Sequence, residues 1–343
     1  MKCWSWENKQ KMKTCQRLSV LLVIIGSAAC TRSHSQMPPP ATQPVALELQ
    51  VSTPFRFVAY GDSRFHDSKD TEAANPAVRQ ALVQAIAEVN PAFISFGGDI
   101  VYNGYDANDW KVWDTETSIW REKKIPVFPA LGNHDLHGNE NVALANYFQR
   151  FPDLKGSRYY SVRAANTLML VLDSSLDETS GPQGKWLTQE LDTLPRDVDF
   201  VFFVLHHPPY TSSSDEKKYG GGHSSRTPEQ ALAKMLEARQ QNTAARFVVF
   251  SGHVHNYERH EHGGITYFVL GGAGAHAYPI ERAATDPFQS REINYHYLLV
   301  EVDHNQLKAT MERLDLNSGK AAWTQPDSIA ISFPLAKTAA KSQ

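Results

Sequence analysis

The residues that could do chemistry sit in short turns. Gly61-Asp62, Gly97-Gly98-Asp99-Ile100-Val101-Tyr102, Gly132-Asn133-His134-Asp135, His206-His207-Pro208-Pro209 and Gly252-His253-Val254-His255 each follow a short apolar run. Carboxylate, amide, imidazole and phenol are oxygen and nitrogen donors, the set that suits zinc, iron or manganese, and no cysteine competes among them. Asp99 is placed as a carboxylate that two ions could share. His253 and His255 would point opposite ways on a strand, but on a turn the same pair can straddle two ions. A lone His-x-His is as often solvated surface; a series of ligand-bearing turns, each behind a hydrophobic strand, is much harder to obtain by accident.

Those turns need strands to carry them, and the hydrophobic pattern supplies candidates. Phe55 to Tyr60 and Phe93 to Phe96 read as strands on either side of a helix over Asn75 to Val89, where Val78, Leu82, Val83, Ile86 and Val89 fall at helical spacing. That is a βαβ unit, in which ligands just past the strand ends collect at one edge of a parallel sheet. Asp109 to Lys123 reads as a helix with Trp110, Trp113 and Trp120 turned to the core. Further strands are expected over Ile125 to Leu131, Arg158 to Arg163, Leu168 to Leu172, Phe200 to Leu205 and Phe247 to Phe250, with helices over Gly184 to Leu194 and Pro228 to Gln240. Trp186 belongs to the packing of the first of these helices. Ile265 to Leu270, Tyr295 to Val302 and Leu307 to Leu314 predict a largely antiparallel second half. Thr211 to Thr227, rich in Ser, Lys and Gly, reads as a loop beside the His206 turn and as a candidate lid.

Composition sets the outer bounds. The chain has 343 residues, 41% hydrophobic and 21% charged, which is globular and ample for a sizeable core. Residues 1–30 hold Lys2, Lys9, Lys11, Lys13 and Arg17 against Glu7; the rest carries 29 basic and 36 acidic residues, a net charge of -7. Bulk charge therefore does not advertise nucleic-acid binding. Cys3, Cys15 and Cys30 all lie in that leader, so the body has no disulfide of its own. The basic start, the apolar run from Leu18 to Ile25 and the ending Gly26-Ser27-Ala28-Ala29-Cys30 read as an export signal, with translation starting at Met1 or Met12. Cleavage before a lipidated Cys30 is the first reading; ordinary cleavage after Ala29 and an uncleaved anchor are the alternatives. All lead to an exported protein, periplasmic or membrane-anchored, touching a membrane only through this leader. Residues 31–47 read as a tether, most biased from Thr31 to about Val45, followed by one catalytic domain over 48–335 and a tail over 336–343.

In their order and spacing, Gly61-Asp62, Gly98-Asp99, Gly132-Asn133-His134-Asp135, His206-x-Pro208 and Gly252-His253-x-His255 resemble the calcineurin-like metallophosphoesterases, over roughly Phe55 to Arg259. Within that superfamily, Gly98-Asp99-Ile100-Val101-Tyr102 and Gly252-His253-Val254-His255-Asn256-Tyr257-Glu258-Arg259 are similar to the Gly-Asp-x-x-Tyr and Gly-His-Val-His-x-Tyr-Glu-Arg of purple acid phosphatases. The resemblance implies a four-layer αββα sandwich of two mixed β-sheets with helices outside. It further implies that Asp62, Tyr102 and His255 hold one metal, that Asn133, His206 and His253 hold the other, and that Asp99 bridges them. Iron paired with zinc, manganese or a second iron is the expected content. His206 is preferred to His207 because the family's ligand precedes Pro by two positions.

Ser63-Arg64 stands where most of the superfamily places a histidine, and Tyr102 fills that role in purple acid phosphatases. Arg64 stays protonated, so it either faces the bound phosphate or pairs with Asp67 or a neighbouring acid. His134 would steady the substrate or protonate its leaving group, and His223, in the Gly-rich loop, could swing over the substrate. His137, His276 and His296 line the cleft or satisfy hydrogen bonds, while His66, His260, His262 and His304 have no claim beyond proximity or surface. The expected activity is hydrolysis of a small phosphate monoester, with two ions activating water for direct displacement. A phosphodiesterase acting on nucleotides or other diesters and a non-catalytic surface binding module on the same scaffold are the alternatives.

Overall fold

A computed structural model describes residues 44–214, 223–317 and 320–334. The leader, nearly all of the tether, the centre of the Gly-rich loop at 215–222 and the tail from residue 335 lie outside the described residues.

The first half alternates strand and helix: β1 (Ala46–Leu49), β2 (Phe55–Tyr60), α1 (Pro76–Val89), β3 (Ile94–Phe96), α2 (Ala107–Glu116), α3 (Ser118–Glu122), β4 (Val127–Pro129) and α4 (Glu140–Arg150). Then come β5 (Tyr160–Ala164), β6 (Thr167–Val171), α5 (Gly181–Asp192), β7 (Phe200–Val204), α6 (Thr227–Gln240) and β8 (Arg246–Ser251). The remainder is strand: β9 (Tyr257–His262), β10 (Ile265–Leu270), β11 (Tyr295–Asp303), β12 (Gln306–Asn317), β13 (Lys320–Thr324) and β14 (Ser328–Ser332).

One sheet has the order β1-β5-β6-β7-β8-β10-β9 and the other β13-β12-β11-β2-β3-β4, with β14 also on β12. Both are mixed: β2, β3 and β4 run parallel, as do β6, β7 and β8, while β11 and β12 are antiparallel. Alternation along the strands builds the layers. Phe57 of β2 reaches across to Phe202 of β7 and Phe250 of β8, at ring distances of 5.1 and 6.0 Å. Tyr60 turns the other way and meets Trp120 at 6.0 Å. Val201 and Phe203 of β7 face Leu187 of α5 and Leu232 and Leu236 of α6. The result is the expected αββα sandwich, and β7 is fully buried because both its faces are covered.

The differences from expectation have local causes. The helix expected over Asp109 to Lys123 breaks at Thr117, whose φ of −96° and ψ of 10° leave the α-helical range, so α2 ends there and α3 begins at Ser118. Trp110, Trp113 and Trp120 are buried all the same. Strand β1 starts inside the stretch read as tether, because Ala46 to Leu49 pair in parallel with Ser161 to Ala164 and Leu47 packs on the core. Thr227, read as the end of the loop, is the first residue of α6. Helix α4 and strands β9, β13 and β14 had no counterpart in the sequence reading.

Candidate metal centre

Strands β2, β3 and β4 of one sheet and β7 and β8 of the other end at the same edge, and each ligand-bearing turn begins there. Asp62, Asp99 and His253 adopt φ angles of 65°, 54° and 69°, a left-handed turn that swings the side chain off the strand direction and into the gap between the sheets. Glycine makes the approach feasible: at Gly98 (φ 89°) a Cβ would lie 2.8 Å from the His206 Nδ1, and at Gly252 one would lie 2.4 Å from the Asp62 carboxylate. Hydrogen bonds then join the two sheets. The His253 N–H donates to Asp62 at 2.9 Å, and His206 Nδ1 donates to the Gly97 carbonyl at 2.9 Å.

Asp62, Asp99, His206 and His255 are buried, and their donor atoms converge. His206 Nε2 lies 3.0 Å from Asn133 Oδ1, 3.2 Å from His253 Nδ1 and 3.4 Å from Asp99 Oδ1. His255 Nε2 lies 3.7 Å from Asp62 Oδ1. Asp62, Asp99 and His206 present ligand atoms within 4.8 Å of one another. The tautomers follow from the carbonyl partners: a carbonyl only accepts, so His206 Nδ1–H on Gly97 and His255 Nδ1–H on the His276 carbonyl, at 2.8 Å, leave both Nε2 atoms as lone pairs. Among the described residues, the buried His255 Nε2 has no hydrogen-bond partner. Two imidazole lone pairs therefore face two carboxylates, an arrangement that a cation satisfies and a hydrogen bond does not.

Charge states agree with this. Burial holds the His255 imidazole well below its usual value and lowers that of His206, which keeps both rings neutral as ligands require. Burial, with the charge of Asp99, raises Asp62. Burial drives Asp99 up too, but positive charge beside it, on His206 where that ring is protonated and on Arg64, outweighs this and holds it below the ordinary carboxylate range. The donor set thus fits bound metal ions.

The flanking residues gather as well. Arg64 Nε and Nη2 donate to Asp99 Oδ2 at 3.3 and 3.2 Å, so its acidic partner is Asp99 and not Asp67. His134 donates its backbone N–H to Asp99 Oδ1 at 2.9 Å and pairs Nδ1 with the Tyr102 carbonyl at 2.7 Å. Its ring stacks on Tyr102 at 5.2 Å. The His223 ring lies 4.9 Å from that of His253 and 5.7 Å from that of His255. His207 has its Nδ1 on the Ser174 hydroxyl at 2.8 Å, yet it also offers a ligand atom within 4.8 Å of those of His206 and His253, its ring packing 4.4 Å from His253. His276 contributes its carbonyl, not its ring.

Two residues were missed. Asp135, buried in the Asn133-His134 turn, accepts the N–H groups of Ile100, Val101 and Gly132 and so ties the turn after β3 to the turn after β4. The only hint in the sequence is its place in the motif. His66, given no claim above, stands 5.1 Å from the Tyr102 ring. Tyr102 and its partner Asp109 lie far along the chain, so spacing gives no sign of this contact.

Comparison with known proteins agrees with the geometry. The calcineurin-like phosphoesterase profile matches residues 55–257. Among solved structures, purple acid phosphatase PPD1 from yellow lupin (Lupinus luteus) superposes with a TM-score of 0.62 at 17% identity, covering 82% of this chain and 54% of that one, so this chain spans about half the lupin protein. A dimetal phosphatase from Danio rerio gives 0.56 at 14% identity, covering 82% and 99%. GAP50, the anchor in the inner membrane complex of Plasmodium, gives 0.54 at 17% identity, covering 82% and 89%. At these identities the structures speak for the fold, whereas the profile spans more than half the chain and runs from β2 to the end of the His253-His255 turn. With the sandwich and the convergent donors in place, the chain belongs to the calcineurin-like phosphoesterase family and is a hydrolase acting on phosphate esters.

Proposed function

We propose that this hydrolase is a purple acid phosphatase-like phosphomonoesterase with a two-metal centre. Asp62, Tyr102 and His255 would hold one ion, Asn133, His206 and His253 the other, and Asp99 would serve both; iron with zinc, manganese or a second iron suits these donors. The supporting observation is the pair of buried Nε2 lone pairs on His206 and His255, fixed by the Gly97 and His276 carbonyls and aimed at Asp99 and Asp62. When bound, such ions acidify water and offset charge on phosphoryl oxygens.

The chain's own residues do the rest. Arg64 uses Nε and Nη2 on Asp99, leaving Nη1 to meet a phosphoryl oxygen of the ester. His134 has Nδ1 committed to the Tyr102 carbonyl, so Nε2 is the atom that steadies or protonates the leaving-group oxygen. His223, against His253 and His255, closes the substrate side. We place the working protein outside the cytoplasm, delivered by residues 1–30 and held by a lipidated Cys30.

The test is turnover of an aryl phosphate by the full chain with metal analysis of the same sample, then the Asp99→Ala variant. Unchanged turnover in that variant ends the two-metal proposal. A panel of monoesters, cyclic nucleotides and bis-aryl diesters separates the monoesterase from a diesterase.

A further inference from the structure

The turns after β2 and β3 run side by side beyond their strands: Phe65 N–H donates to the Ile100 carbonyl at 2.8 Å and Tyr102 N–H to the Phe65 carbonyl at 3.2 Å. This sets His66 next to Tyr102, ring to ring at 5.1 Å and 58°. The His134 ring also stacks on Tyr102, at 5.2 Å and 29°. The phenol is therefore contacted by two imidazoles. We propose that His66, fixed by Asp109, is a positioning residue for Tyr102: together with His134 it sets the plane of the phenol, and hence the direction in which the phenol oxygen is offered.

His66 is itself held at several points. Its Nδ1 meets Asp109 Oδ1 at 2.5 Å and its Nε2 meets Asp70 Oδ2 at 3.2 Å. Its backbone carbonyl accepts from Arg79 Nη2 at 3.0 Å, and Arg79, fully buried, is fixed by Glu116 at 2.9 Å. Asp109 is buried and also accepts the N–H of Asn103, the residue after Tyr102, at 2.9 Å. The loop thus closes on itself, from Tyr102 through Asn103 and Asp109 to His66 and back to the phenol face. A phenol has only two side-chain torsions to fix, and two ring contacts with a hydrogen-bonded backbone restrict them.

The proposal rests on the reading of Tyr102 as a metal ligand, and the experiment separates the two. The full chain is loaded with ferric iron, the visible phenolate absorption is recorded, and metal retention is measured by competition with a chelator. Tyr102→Phe tests the ligand reading and should abolish the band. His66→Ala and His66→Asn test the clamp; the Asn amide keeps a donor for Asp109, so this variant preserves the fold while removing the ring. Both are expected to displace or weaken the band and to lower metal affinity roughly 10- to 100-fold, the usual effect of losing a residue that orients a ligand. A wild-type band and affinity in His66→Asn overturn the clamp alone. A colourless iron-loaded wild type, or a band that survives Tyr102→Phe, overturns both.

Discussion

Glu178 offers a sharp test of how burial sets charge in this fold. It is fully buried, and neither of its carboxylate oxygens receives a hydrogen bond from the described residues. Its neighbour Glu229, equally buried, takes the guanidinium of Arg226 through Nε at 3.0 Å and through Nη2. Arg226 is thereby committed to Glu229 and to the Ser174 carbonyl, and Glu178 is left to hold a proton of its own against Glu229. Burial, then the charge of Glu229, pushes Glu178 from the usual 4.5 up to about 8. Below pH 4.5 the folded and unfolded chains both carry this proton. As pH rises towards 8 only the unfolded chain releases it, so stability falls through that window and levels off above it. At about 1.4 kcal/mol per pH unit the full window is a ceiling on the order of 5 kcal/mol, of which roughly 3 is lost by pH 7. Glu178→Gln replaces the proton with a permanent amide donor, so the variant should match the wild type near pH 5 and exceed it by several kcal/mol at pH 8.5. Urea unfolding at pH 5, 7 and 8.5, at one fixed metal concentration, measures this. Parallel pH profiles, or a Gln variant weaker than wild type at pH 8.5, would refute the reasoning.

Other expectations are more direct. Phe57→Ala removes a ring that lies 4.6 Å from Phe93 and 5.1 Å from Phe202 across the sandwich, and should cost about 3–5 kcal/mol in denaturant unfolding with the far-ultraviolet spectrum retained. Removing metal with a chelator should lower the melting temperature of the wild type, by the equivalent of about 4 kcal/mol where free ion exceeds Kd 1,000-fold, and should barely move Asp99→Ala. Cys30→Ser should release the protein from the membrane fraction of a bacterial host while leaving phosphatase activity intact; continued membrane retention would count against lipidation.

The parts of this molecule that were legible in its sequence share one property: their physical cause is local. Phe55–Tyr60 and Ile265–Leu270 have the bounds expected of them because a largely apolar run needs no knowledge of its partners. Asn75 caps α1 through its own side chain, accepting from the N–H groups of Ala77 and Val78 at 3.1 and 3.3 Å. The ligand turns were legible for the same reason, each being a donor, in all but the His206 turn behind a glycine, just past such a run. Helix α4 was readable in principle, since Asn139 caps it and Ala143, Leu144, Tyr147 and Phe148 form its buried face.

What stayed hidden depends on partners far along the chain. Strand β9, Tyr-Glu-Arg-His-Glu-His, has no apolar period because its polar groups are answered from elsewhere. Glu258 is buried only because Thr211 and Ser212 donate to it at 2.6 and 2.7 Å, and Arg259 and Tyr257 both close on Asp327. Strand β1 has only the alternation Ala-Leu-Glu-Leu, which becomes a strand once β5 offers its edge. His66 belongs with these. Its type and neighbours in sequence say nothing, and its role exists only after the turns past β2 and β3 have paired. A histidine's chemistry is set by what faces its two nitrogens, so in this fold the residues that hold the ligands in place are legible only once the ligands themselves have been placed.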